Sequence, residues 1–320
     1  MTIGIGSTHC LLPADRVAVV DLPEFAMLAP EDQDFATSCG IETVGVFGHG
    51  PQAELAAKAC RALLDQSPLE PDVLLLVGSR APDVLLGSDP CAVQAAAKLP
   101  GAFAFGIDGL GCTGSSAAWA LARDLLNADP RRDSVIIAHT SRPTGPDRVR
   151  NPVTVVGDGA FATTIVRGGR PVLRAHRMET DGTFHDLFTV DYRQAPWYEW
   201  REECRSHSRY RFELAMHSRL RLGALVDGVL ADAKASRKDV TTVLMQNVTA
   251  SAYGFYEDML ELPIHPVCRE NLEVNGHLGA MDVVLNLDRL LAGGTANPGD
   301  LVLVLNNSPV AAWAATLWEV

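Results

Sequence analysis

Cys112 is the residue in this chain best placed to do covalent chemistry. It lies in Ile107-Asp108-Gly109-Leu110-Gly111-Cys112-Thr113-Gly114-Ser115-Ser116-Ala117-Ala118-Trp119-Ala120-Leu121-Ala122. That stretch reads as the end of a strand, a tight glycine turn, then a helix of small and apolar residues. A helix apolar nearly all round is expected to be buried. Cys112 falls at or just before its first turn, where the helix dipole and unpaired N–H groups favour an anion. A thiol that ionises there is a candidate covalent nucleophile. The same residue type also serves as a small hydrophobe behind a strand, and local chemistry leaves both readings open.

The surrounding pattern is that of strands alternating with helices. Residues 3–20 read as two short strands about Pro13, and Ala53 to Leu64 as a helix. Asp72 to Gly78 and Ser134 to His139 are continuous apolar runs, expected to be strands buried on both faces. Cys91 to Lys98 reads as a short helix, Ala102 to Ile107 as the strand into Cys112, and Ala162 to Val166 as a further strand. A second half is expected from Gly168-Gly169-Arg170-Pro171, giving units 1–168 and 169–320. It carries a long helix over Arg211 to Ala233, a strand over Val240 to Met245, and helices over Ala250 to Leu260 and Ala280 to Leu291. Leu301 to Leu305 is a last core strand, with Ala311 to Leu317 expected to pack behind it. The alternation predicts an α/β fold with largely parallel sheets, built as two similar stacked halves.

Composition sets the outer bounds. The chain has 320 residues, 47 % hydrophobic and 21 % charged, ordinary for a globular enzyme. No apolar run is long enough to span a bilayer, and Met1-Thr2-Ile3-Gly4-Ile5-Gly6 lacks the basic and apolar regions of a signal peptide. The expectation is a cytoplasmic protein with no membrane contact. Seven scattered cysteines without a CxxC pair argue against a disulfide framework and a zinc site. The net charge of −12 disfavours nucleic acid as a partner. Yet seven arginines lie between Arg193 and Arg221 among aromatics. They suit a phosphorylated or acidic partner, or a solvated face closed by Glu202, Glu203 and Glu213.

Taken together, the motifs resemble the thiolase superfamily, in its ketoacyl-ACP synthase III branch. Gly109-Leu110-Gly111-Cys112-Thr113-Gly114 is similar to the nucleophile turn of that family. Val156-Gly157-Asp158-Gly159-Ala160 resembles its Gly-Asp-Gly-Ala segment, Arg211-Phe212 the opening of its second-half helix, and Pro298-Gly299-Asp300-Leu301-Val302-Leu303 its closing strand. The resemblance spans the whole chain. It implies a five-layer α-β-α-β-α fold, a homodimer, and a Cys112 that carries an acyl group as a thioester. The donor substrate would be acyl-CoA or an acyl-phosphopantetheine on an acyl carrier protein, with no permanently bound cofactor and no metal. Family members use a His and an Asn to assist decarboxylation and Claisen condensation.

The chain departs from the family at those two positions. Gln246 stands for the His, in Met245-Gln246-Asn247-Val248-Thr249, and His277 stands for the Asn, in Gly276-His277-Leu278-Gly279. Gln246 can donate a hydrogen bond but cannot match an imidazole in proton transfer. His277 can deprotonate a hydroxyl or amine that attacks the acyl thioester, because its unperturbed pKa lies near neutrality. Its second nitrogen needs an orienting partner, for which Asp282 and Asn247 are the candidates. In the turn that supplies an oxyanion N–H, Pro309 has none to give. The other eight histidines are expected to be surface or structural. Leu86 stands where the family places a Phe that crosses the dimer interface, and would leave a roomier acyl pocket or a plain interface contact. The acceptor pocket is expected between Thr183 and Tyr210, where Trp197, Tyr198 and Trp200 cluster.

These departures imply an acyltransferase offshoot that moves an acyl group through Cys112 to a hydroxyl or amine of a small molecule in secondary metabolism. The alternatives are a decarboxylative condensing 3-oxoacyl-ACP synthase and a non-catalytic thiolase-fold subunit.

Overall fold

The structure is a computed structural model of the chain and describes residues 2–48, 50–78, 81–84, 86–143, 145–190 and 193–320. Nine strands form one mixed sheet: β1 (Ile3–Leu11), β2 (Val73–Val77), β3 (Phe103–Ile107), β4 (Ser134–Ser141), β5 (Gly159–Arg167), β6 (Val172–Thr180), β7 (Val240–Met245), β8 (Leu301–Ser308) and β9 (Ala312–Glu319). Their spatial order is β7-β8-β9-β6-β1-β5-β4-β2-β3. Eight α-helices accompany them: α1 (Pro30–Ser38), α2 (Gln52–Gln66), α3 (Asp89–Ala96), α4 (Gly114–Ala128), α5 (Ala215–Asp232), α6 (Ala250–Leu260), α7 (Pro266–Asn275) and α8 (Asp282–Ala292).

The strand order repeats. Outward from the middle, one side runs β1-β5-β4-β2-β3 and the other β6-β9-β8-β7. The place equivalent to β3 is held by a single parallel bridge from Val243 to Ile264. The two sides meet where β1 and β6 pair at Gly4 and Val172. Helices α2 and α3 cover one side of the sheet and α5 the other, with α6 against α5, while α4 lies in the middle against strands of both and α8 packs on β7 and β8. Viewed through the stack, this is helix, sheet, helix, sheet, helix.

The strands are less parallel than their alternation with helices suggests. Only β2–β3, β2–β4 and β7–β8 run parallel; β1–β5, β1–β6, β4–β5, β6–β9 and β8–β9 are antiparallel. The cause at β8–β9 is the short link from Ser308 to Ala312, which cannot carry a parallel crossover. Residues 312–319 therefore do not pack behind Leu301–Leu305; they form the neighbouring strand of the same sheet. The helix expected over 211–233 is a π-helical turn, Arg209–Leu214, followed by α5.

Helix α4 can occupy the middle layer because its first turns are small. Gly114, Ser115, Ser116 and Ala118 are buried, and a Cβ on Gly114 would press on Val77 of β2. Farther along, Trp119 is fully buried and meets Trp318 of β9 edge to face, with ring centroids 5.2 Å apart. That contact ties the middle helix to the far sheet.

The seam between the two sides is equally tight. A Cβ on Gly4 would run into the backbone carbonyl oxygens of Gly169 and Pro171. Gly4→Ala is therefore expected to cost about 1–3 kcal/mol through overpacking that backbone cannot relieve. A thermal melt should show a Tm several degrees below wild type, and an unchanged Tm would contradict the seam.

Candidate active site

Two helix N-termini converge on Cys112. The residue sits in the 3-10 turn Gly111–Thr113 that leads into α4, and is buried. The turn is possible because Gly109 and Gly111 have φ of 79° and 52°. Gly111 also lies against Ser308 at the end of β8, where a Cβ would collide with the hydroxyl. The Asn306 amide donates to the Cys112 carbonyl at 2.8 Å, fixing the turn to β8.

His277 approaches from the other side, on the turn before α8. Its backbone is pinned to the Gly-Asp-Gly-Ala segment: the His277 N–H donates to Val155 O at 2.9 Å, and the Gly157 N–H to His277 O at 3.0 Å. Gly157 must lack a side chain because a Cβ would strike the Asn275 carbonyl. Asp158 anchors the same segment; its buried carboxylate accepts from Phe47 N–H at 2.8 Å and from both Arg148 nitrogens at 2.8 and 3.2 Å.

The side chains form a relay. Cys112 Sγ lies 3.1 Å from His277 Nε2. His277 Nδ1 lies 2.6 Å from Asp282 Oδ2 and 3.0 Å from the Asn247 carbonyl. Asp282, the first residue of α8 and fully buried, also accepts the Asn247 N–H at 2.9 Å and the Leu278 N–H at 2.7 Å. With Nδ1–H committed to these acceptors, Nε2 is the nitrogen free to exchange a proton with the sulfur. Burial works against a charged imidazole. The sulfur of Cys112 and then the carboxylate of Asp282 outweigh it, and hold the His277 pKa well above the ordinary histidine value.

The structure therefore brings Cys112, His277, Asp282 and Asn247 together, with Asn247 acting through its backbone. The Asn247 side chain instead accepts from Tyr253 OH at 3.0 Å and Asn286 Nδ2 at 2.8 Å. Gln246 is not part of the relay. Its side-chain amide closes on the Asn307 backbone, donating to the carbonyl at 3.3 Å and accepting the N–H at 3.2 Å.

A cavity of about 720 Å³ opens at this relay. Cys112 and His277 share its wall with Leu76, Val77, Leu86 and Val310. None of the residues described between Thr183 and Tyr210 lines that wall, although Tyr210 lies within electrostatic range of Cys112. Trp197 and Tyr198 are exposed, and the Trp200 indole donates to Ala195 O in its own loop. Glu202 of that stretch holds the wall residue Arg150 in a bidentate pair at 2.6 and 2.9 Å; Asp191 and Tyr192 lie outside the described residues. Most of the seven arginines are ion-paired, Arg201 to Asp147, Arg205 and Arg209 to Asp186, Arg221 to Glu179 and Asp181.

One wall residue escaped the sequence reading. His139 on β4 is buried, donates from Nδ1 to Val77 O at 2.9 Å, and lines the cavity. Its signal was an imidazole inside an otherwise apolar, fully buried strand. The buried amides Asn271 and Asn286 were also missed; their spacing carries no motif.

No protein-family model matches the chain. Relatives and solved structures do. A beta-ketoacyl-[acyl-carrier-protein] synthase III of Erythrobacter litoralis is 26 % identical over 271 residues, 82 % of each chain. The 3-oxoacyl-(acyl carrier protein) synthase III structure from Pseudomonas aeruginosa superposes with a TM-score of 0.81 at 20 % identity, covering 100 % of this chain and 98 % of its own. The acyltransferase ChlB3 superposes with a TM-score of 0.85 at 24 % identity over 100 % and 98 %. These likenesses and the duplicated layers define a thiolase fold. Within that fold, the chain is similar in sequence to beta-ketoacyl-[acyl-carrier-protein] synthase III proteins. No helix among the described residues is long and apolar enough to cross a membrane.

The charge balance gives a direct test. Because the Cys112 sulfur is the first influence raising the His277 pKa, Cys112→Ala is expected to move that pKa downward. Titration by NMR of labelled histidine should show the imidazolium giving up its proton at lower pH in the variant. The same or a higher pKa would refute the coupling.

Proposed function

We propose that this protein is an acyltransferase that takes an acyl group from a thioester donor onto Cys112 and passes it to a hydroxyl or amine of a small molecule. The relay of Cys112, His277 and Asp282 in one cavity is the observation that carries this reading. The Cys112 thiol passes its proton to His277 Nε2 and attacks the donor carbonyl. The donor thiol leaves with that proton, and a thioester to Cys112 remains. Acylation removes the sulfur's charge, and with it the first influence that favours imidazolium. His277 is then neutral, and Nε2 can take the proton of the incoming O–H or N–H as that atom attacks. The ester or amide departs, Cys112 leaves as thiolate, and the proton on His277 returns to it.

Condensation is less well served. It needs donors aimed at the thioester oxygen where enolate charge develops. Gln246, at the position of the family's His, has its amide turned to Asn307. The solved structure of ChlB3, named an acyltransferase, adds support. Secondary metabolism is part of the proposal, as is a donor carried by CoA or by an acidic carrier protein. Arg211 and Arg219 have no ion pair among the described residues and suit a negatively charged donor.

Intact-protein mass spectrometry after incubation with acyl-CoA should show the acyl mass on wild type and not on Cys112→Ala. His277→Ala should still acylate, more slowly, and lose transfer. Asp282→Asn should lower transfer roughly a hundred- to ten-thousand-fold, the scale on which loss of the orienting carboxylate acts in serine hydrolases. Carbon dioxide release with a new carbon–carbon bond from a malonyl donor would replace this reading with the condensing one, and no adduct from any thioester would favour the non-catalytic subunit.

The proposal includes a homodimer formed through β3. That strand is the sheet edge, and Phe103 on it is 67 % exposed, with Val84 and Leu86 exposed nearby in sequence. An uncovered edge of this kind is a template for pairing with a second copy. Sedimentation should give a dimer for wild type and a shift toward monomer for Phe103→Asp. A monomeric wild type would reject it.

A further inference from the structure

His139 faces the same cavity as the relay, and the proposed transfer gives it no part. It stands on β4 beside Val77 of β2, with which it is in register. Nδ1 donates to the Val77 carbonyl at 2.9 Å, so Nε2 holds the lone pair. The residue is 4 % exposed, and Nε2 has no hydrogen-bond partner among the described residues. A buried acceptor left without a partner costs stability, so such a group calls for an explanation. Burial and the nearby charge of His277 keep this ring neutral, with its pKa lowered to about 4. A neutral ring remains a hydrogen-bond acceptor across the physiological range.

The approach to Nε2 runs past Gly279, two residues beyond His277. A Cβ there would lie 3.6 Å from His139 Nε2 and 3.7 Å from Ser141 Oγ. Its φ of 59° favours glycine. Gly279 lines the cavity together with His139, Cys112 and His277. The wall thus presents two imidazoles with different duties, one in the relay and one with an unused lone pair.

We propose that His139 Nε2 accepts a hydrogen bond from a second donor group of the acyl acceptor, so that the cavity selects acceptors carrying a hydroxyl or N–H beside the one that attacks. The attacking group still gives its proton to His277; the second keeps its own and only donates. This inference rests on the acyl-transfer reading and deepens it. An acceptor without that second group would leave Nε2 buried and unpaired, the situation in which polar sites discriminate most strongly.

The test uses the acyl-enzyme and two small nucleophiles, ethylene glycol and 2-methoxyethanol, which differ by one O–H. Wild-type acyl-enzyme, formed with acyl-CoA, is discharged by each at equal concentration and followed by intact mass. Ethylene glycol has two equivalent hydroxyls, so chance alone favours it about twofold. The expected preference is about tenfold, as one net hydrogen bond provides. The acyl-enzyme of His139→Phe, its formation confirmed by intact mass, should show only the chance ratio. His139→Gln, which can hold an acceptor oxygen near the Nε2 position, should keep the preference. A wild-type ratio of two or less would overturn the inference, as would an unchanged ratio in His139→Phe or a lost one in His139→Gln. Failure of both alcohols to discharge the acyl-enzyme would instead strike at His277 as the base and at the transfer reading itself.

Discussion

The buried carboxylate of Asp282 is the constraint on which the site depends. A charge with no exposure must be fully hydrogen-bonded to be tolerated. Asp282 meets that demand with the Asn247 N–H, the Leu278 N–H and the His277 ring. Its position at the start of α8 adds the favourable end of the helix dipole. These donors come from two local elements, the loop after β7 and the turn before α8, the second giving both the Leu278 N–H and the imidazole. Satisfying one carboxylate therefore fixes the two elements together. The tautomer of His277 follows, and Nε2 is left pointing at Cys112.

Behind that carboxylate is a layer of neutral polar groups with the same logic. Asn286 donates to Met245 O at 2.7 Å and to the Asn247 side chain at 2.8 Å, and accepts from Asn271 at 2.7 Å. Tyr253 donates to the same Asn247 oxygen. Among the described residues, no hydrogen bond joins Asn271, Asn286 or Tyr253 to Cys112 or His277. Together they set the peptide of Asn247, whose carbonyl and N–H flank the relay on both sides. Networks of buried amides contribute modestly to net stability but penalise any displaced member by its full desolvation cost. These bonds tie down the loop after β7, and the Asn247 carbonyl on it holds the imidazole facing the sulfur.

Much of the chain could be read before folding because its cues are local. The buried runs at 73–77 and 134–141, the helix at 250–260, and the glycine turn at Cys112 all carry their own signals. Other features needed three dimensions. The strand at 312–319 is apolar on both faces, and periodicity does not say whether such a run lies behind a sheet or within it. The aromatics between 197 and 200 attract attention by type, but sequence does not show that Trp197 and Tyr198 are exposed and stand off the cavity wall. The part played by Asn247 was legible as a residue but not as an atom, since a backbone carbonyl leaves no mark in sequence. His139 was passed over because a lone histidine in a strand has no partner in sequence; its meaning lies in the cavity it faces.

The pair of departures at 246 and 277 makes physical sense as one change. An imidazole at 277 has Asp282 five residues on, at the head of its own helix, so one turn of chain supplies both the base and its orienting acid. At 246 the adjoining backbone leads to Asn307, which offers a peptide group and no carboxylate. A glutamine there completes both hydrogen bonds of that peptide, which an imidazole with one donor and one acceptor in fixed opposition would meet less well. Residue 246 thus braces the loop after β8, and residue 277 is left to exchange protons. In the proposed acyl transfer, a thioester formed on Cys112 would leave His277 without the sulfur that is the first influence raising its pKa. That loss would turn the imidazole into an acceptor for the next proton, which suits the two-step transfer proposed above.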